Sequence, residues 1–202
     1  MTKKERKIIM KKFKKVMAMG LATMAAVSAM SMSAMAAELS ADAVYLDNPT
    51  QEDMNYYADN RIDCYGTDPD GTEWSIHYYD DEEITAQSIM PLDLDMWSGN
   101  VYVPVTNIDG TQGVVLGNSS SPEFTISPDS TVHITVGDLD NTMPRVNVSV
   151  QRVGTSWYSM KTMGSNGEFS CTIPSSYRTV LHRATASSNT NASYAYFTMW
   201  TD

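Results

Sequence analysis

From Asn100 to Thr201 the chain alternates apolar and polar residues with a period of two, and short turn-forming clusters interrupt the pattern. Successive side chains of a strand point to opposite faces, so this period selects half-buried β-strands and excludes amphipathic helices. Val132, Ile134 and Val136 oppose Thr131, His133 and Thr135. Val146, Val148 and Val150 oppose Asn147, Ser149 and Gln151, and Phe169, Cys171 and Ile173 oppose Glu168, Ser170 and Thr172. The expected strands are 100–105, 112–116, 123–126, 131–136, 145–153, 156–163, 168–173, 179–186 and 193–201. Turn residues separate them, as in Ser127-Pro128-Asp129-Ser130 and Gly164-Ser165-Asn166-Gly167. Short strands at this spacing predict an all-β protein, an antiparallel sandwich of Greek-key or jelly-roll type.

A different composition precedes this region. Residues 37–90 hold 14 acids and one base, Arg61, whereas residues 91–202 hold 9 acids and 5 bases. The expected organisation is therefore a segment 1–36, an acidic tyrosine-rich segment 37–90 and a β-sandwich domain 91–202. Within the acidic segment, Thr50 before Gln51-Glu52-Asp53 is a helix N-cap with acids in the first turn, where the helix dipole favours them. Met54, Tyr57 and Ala58 would share one face of that helix, which Asn60 ends. A hairpin should follow, turning at Asp68-Pro69-Asp70-Gly71, because Pro presets φ and Gly accepts positive φ. On its return strand Trp74, Ile76 and Tyr78 face one way.

The first 36 residues read as an export signal. Eight bases against Glu5 crowd residues 3–15, an uncharged Ala- and Met-rich stretch follows, and Ala34-Met35-Ala36 is a small-x-small cleavage site. The expected location is secreted and extracellular, and the context bacterial. The whole chain carries −10; without this leader 6 bases face 23 acids, about −17. Such a charge opposes phosphate backbones and anionic lipid, so no nucleic acid is expected as a partner. No later apolar run reaches the ~20 residues that span a bilayer, so no membrane insertion is expected after the leader, and the strong charge favours a monomer.

Two cysteines follow the leader, Cys64 and Cys171. An even count in an exported protein predicts one disulfide, which would tie the acidic segment to the sandwich. The alternative is a buried free thiol at Cys171, which shares a face with Phe169 and Ile173.

Catalytic and metal motifs are sparse. Asp68 and Asp70 do not extend to a calcium loop, since the positions that would complete an EF-hand are Gly66 and His77. Asp80-Asp81-Glu82-Glu83 is expected as a solvated acidic run, with a weak calcium site as its alternative. His77, His133 and His182 have no zinc spacing, and His77 and His133 fall on the polar sides of strands, where solvated imidazoles are expected. No metal and no cofactor is expected. Asn118, Asn147 and Asn191 open N-x-S/T triplets, which are expected by chance in a Ser-rich chain.

The aromatic residues carry the functional expectation. Trp157 and Tyr158 follow a turn, and Tyr194, Tyr196 and Trp200 share one face of the last strand, opposite Ala195, Phe197 and Met199. One of those faces must be core. Rings on the other can stack on sugars, so Trp157, Tyr158, Tyr194, Tyr196 and Trp200 are the candidate ligand-binding residues. The leading expectation is a non-enzymatic extracellular binding module for a glycan or a cell-surface protein. The alternatives are a hydrolase using scattered carboxylates, and a sandwich covered by a removable acidic pro-segment at 37–90.

Overall fold

The alternating segments pair into two sheets. A computed structural model describes residues 39–79, 97–105, 113–117, 123–126, 129–137, 139, 141–156, 158–174 and 180–201. In chain order these form β1 (Val44–Leu46), α1 (Gln51–Asn60), β2 (Cys64–Thr67), β3 (Glu73–Tyr78), β4 (Trp97–Val103), β5 (Val114–Leu116) and β6 (Phe124–Ile126). Then come β7 (Thr131–Val136), β8 (Val146–Arg152), β9 (Tyr158–Met163), β10 (Gly167–Thr172), β11 (Val180–Ser187) and β12 (Ser193–Thr201). One sheet has the order β1-β2-β3-β10-β7-β12-β4 and the other β5-β11-β8-β9, with β6 also on β11. The described residues are mostly β and sandwich-like, with two sheets and one short helix. The leader, Asp80–Glu83, Asn118, Trp157 and the compositional break at Pro91 lie outside the described residues.

Pairing is nested. The strands β4 and β12, β5 and β11, β7 and β10, and β8 and β9 are antiparallel partners, each pair enclosing the next in sequence. Two further pairings, β12 with β7 and β11 with β8, close the sheets. The short strands β5 and β6 run end to end along β11, opposite Ala184–Ala186 and Val180–His182 respectively. They behave as one edge strand broken by an insertion.

The two-residue period decides which side is core. Val132, Ile134, Val136, Val148, Val150, Phe169, Ala195 and Phe197 are at most 1% exposed and face inward. Each buried Val, Ile or Phe contributes about 1.5–3 kcal/mol by leaving water. That sum, set against chain entropy, fixes the register, because a one-residue slip would turn every such side chain outward.

The acidic segment belongs to this architecture. β3 pairs with β10 from Tyr78–Gly167 to Trp74–Cys171, and β2 pairs with β3. Trp74 and Ile76 enter the core at 1% exposure. Strands from both sides of the compositional change therefore share one sheet, and residues 38–202 form one compact unit. Helix α1 carries the expected cap. Thr50 Oγ1 accepts from the Asp53 N–H, and the Asp53 carboxylate accepts from the Thr50 N–H. Arg61 ends it in the left-handed region at φ 50°. Met54 and Ala58 are buried, and Gln51 Nε2 donates to Thr162 Oγ1 on β9 at 2.6 Å. At Gly66 a Cβ would lie 2.4 Å from the Leu46 carbonyl oxygen and 2.8 Å from the Trp74 ring. Only glycine lets β1 and the indole approach from both sides.

Not every inward position is apolar. Lys161 on β9 is 7% exposed, and its Nζ lies 2.8 Å from Asp68 Oδ1 in the β2–β3 turn. Ser159 donates to the same carboxylate at 2.7 Å, and the ammonium stands 4.6 Å from the centre of the Trp74 ring. The tetrapeptide at 68–71 is thus a hairpin turn, with Gly71 at φ 90°, that also anchors a cross-sheet ion pair.

Candidate functional site: an exposed tyrosine face

The last strand puts Ala195, Phe197 and Met199 in the core and Tyr194, Tyr196, Thr198 and Trp200 on the outer face of the seven-stranded sheet. Its partner β4 does the same: Val101 and Val103 turn inward, while Ser98, Asn100 and Tyr102 turn outward. The antiparallel register sets Tyr194 against Tyr102, Tyr196 against Asn100 and Thr198 against Ser98. Tyr102, Tyr194 and Tyr196 are 52%, 60% and 49% exposed. Tyr102 and Tyr194 meet edge to face, with centroids 5.3 Å apart and planes at 65°. These exposed residues offer ring faces, phenolic hydroxyls and one amide.

The four described sequence candidates do not converge, and Trp157 lies outside the described residues. Tyr194 and Tyr196 share this surface. Trp200 lies on the same face, farther along β12, but it is half-buried and stacked on His133, with centroids 4.9 Å apart and planes at 4°. Tyr158 is exposed on β9, in the other sheet. Its cross-strand partner Gln151 lines a small hollow with Arg152, Val153, Gly154, Thr155 and Arg183, where Arg183 is held by Glu123 at 2.7 Å. Tyr102 and Asn100 are the residues that sequence reasoning left out. Their alternation with Val101 and Val103 was visible, but the cross-strand register that brings β4 to β12 was not.

Inward from Trp200 the outer face holds two acid–imidazole pairs. His77 Nδ1 lies 2.7 Å from Asp63 Oδ2, and His133 Nδ1 lies 2.7 Å from Glu168 Oε1. Tyr79 donates to Glu168 Oε2. The expectation of solvated imidazoles is corrected here: His77 and His133 are only 17% and 14% exposed, drawn down by the buried carboxylates beside them. Burial alone would raise the Asp63 carboxyl, but bonds from His77 and from the Ser40 and Tyr78 N–H groups hold it below the usual carboxylate range. Ser170 Oγ lies 3.0 Å from His133 Nδ1 and 3.1 Å from Glu168 Oε1. Serine, histidine and glutamate thus meet, yet serine and acid share one ring nitrogen, whereas a relay places them on opposite nitrogens. Ser170 is also buried.

The predicted disulfide is corrected as well. Cys64 and Cys171 are free and fully buried. Cys64 pairs with Ile76 and Cys171 with Trp74, so the whole width of β3 separates them. Two strand spacings are about 9.5 Å, and the two-residue offset adds to that. A disulfide needs Cα atoms within about 7 Å. Burial pushes both thiols up to about 12. They are core residues.

Comparison with protein-family models, with curated proteins and with solved structures gives no match in any of the three.

Proposed function

We propose that this protein is an exported, non-catalytic carbohydrate-binding module of jelly-roll winding, which holds its ligand on the outer face of β4 and β12. The observation that carries the reading is the trio Tyr102, Tyr194 and Tyr196, all about half exposed or more on one uninterrupted surface. Large rings left in water on a flat sheet cost solvation that a folded protein otherwise avoids, and such patches mark binding surfaces. Pyranose rings present C–H faces to aromatic rings, while Asn100 and the phenols supply directional hydrogen bonds.

The winding is supported by the nested pairs: a long hairpin of eight strands, rolled once, gives the orders β4-β12-β7-β10 and β5-β11-β8-β9. Export is supported by the basic, then apolar, then Ala34-Met35-Ala36 pattern of the leader. The pro-segment reading loses ground because removing residues 37–90 would take Trp74 and Ile76 out of the core. The hydrolase reading is disfavoured because Asp63 and Glu168 are both committed to histidine partners inside the fold.

The test is retention of the purified protein on immobilised polysaccharides. The double variant Tyr194→Ala/Tyr196→Ala should lose retention and keep its melting temperature, since neither ring is in the core. Tyr158→Ala should bind like the parent. Capture of a cell-surface protein with no polysaccharide retained would replace this reading.

A further inference from the structure

On the reading just proposed, the composition of the tyrosine face narrows the ligand. Its described outward positions on β4 and β12 are Ser98, Asn100, Tyr102, Tyr194, Tyr196 and Thr198, together with Trp200 farther along. None carries charge. The chain as a whole holds −10, and about −17 without the leader, so an uncharged face on this molecule is an exception to its own surface. The nearest buried carboxylate on this side, Glu168, is 3% exposed beneath bonds from Tyr79, His133 and Ser170.

An anionic polysaccharide would find no Lys or Arg among the described positions of this face to pair with its carboxylates or sulfates, and it would meet the repulsion of the remaining acids. A cationic polymer would be drawn to those acids and away from the tyrosines. An uncharged sugar chain avoids both penalties. Geometry restricts it further. Tyr102 and Tyr194 cross at 65°, so their ring faces cannot lie together on one plane. A crystalline polymer surface asks for coplanar rings; a single flexible chain can turn from one ring face to the next.

We infer that the ligand of the tyrosine face is a single, soluble, electrically neutral polysaccharide chain. Affinity electrophoresis of the full-length secreted protein tests this, through gels containing mixed-linkage β-glucan, glucomannan or polygalacturonate, together with pull-down on microcrystalline cellulose. Each is run at low salt and in high sodium chloride.

The expected result is retardation by a neutral soluble polymer, insensitive to salt, and weakened about tenfold or more by Tyr194→Ala/Tyr196→Ala. Tyrosine-dependent retention by polygalacturonate alone, or by crystalline cellulose alone, overturns this inference and leaves carbohydrate binding standing. No retention by any polymer overturns the carbohydrate reading itself, and retention unchanged in the double variant overturns both this inference and the placement of the ligand on β4 and β12.

Discussion

Asp63 carries an acid-dependent share of the stability. It is buried and accepts from His77, Ser40 and Tyr78, and those bonds depress its carboxyl despite the cost of burial. A depressed value in the folded state means that the unfolded chain takes up this proton first. The contribution is therefore complete above about pH 4 and is lost as the pH falls through the lower folded-state value. Asp63→Asn should lower stability at neutral pH by about 1–3 kcal/mol and flatten the acid limb of a melting-temperature profile below pH 4. An unchanged acid limb would contradict this role. The cysteines give a second test at this scale. Intact mass should be the same with and without reductant, and alkylation should add nothing to the native protein and two labels once it is unfolded. One bridge found by mass would contradict the register of β2, β3 and β10.

At the scale of elements, the β2–β3 turn is held by more than turn chemistry. Asp68 accepts from Lys161 and Ser159 across the gap between the sheets. Asp68→Ala would leave a buried ammonium without its carboxylate, which costs about 3–5 kcal/mol, toward the lower end because Asp68 is 21% exposed. Adding Lys161→Met should recover most of that loss in urea unfolding; no recovery would mean that the pair is not what Asp68 serves. Local signals made much of this level readable. Thr50 and Asp53 marked the helix start, Pro69 and Gly71 marked the turn, and the period of two placed every expected strand from residue 100 onward. What could not be read was long-range pairing. Nothing local in the strand at 156–163 singles out Lys161 as an inward residue, because its partner lies 93 positions earlier. Strand β1 was missed because Val44–Leu46 is too short to show a period and is held by parallel pairing to β2.

For the whole molecule, the central result is that two sheet partners distant in sequence, β4 and β12, assemble one uncharged aromatic face on an acidic protein. The sequence showed the rings of β12 but left open which side of the strand was core. Packing decides it: Ala195 and Phe197 fit against the opposite sheet at 1% exposure or less, and the tyrosines are left in water. The sequence could not group Tyr158 with the correct sheet either, since that depends on which pair of strands encloses which. The most direct measurement is an amide chemical-shift titration of the folded protein with uncharged oligosaccharides such as cellohexaose and mannohexaose. Shifts should concentrate at residues 98–102 and 194–198 and be absent in Tyr194→Ala/Tyr196→Ala. Shifts confined to Tyr158 and the Arg152–Thr155 turn, or none with any neutral oligosaccharide, would contradict it.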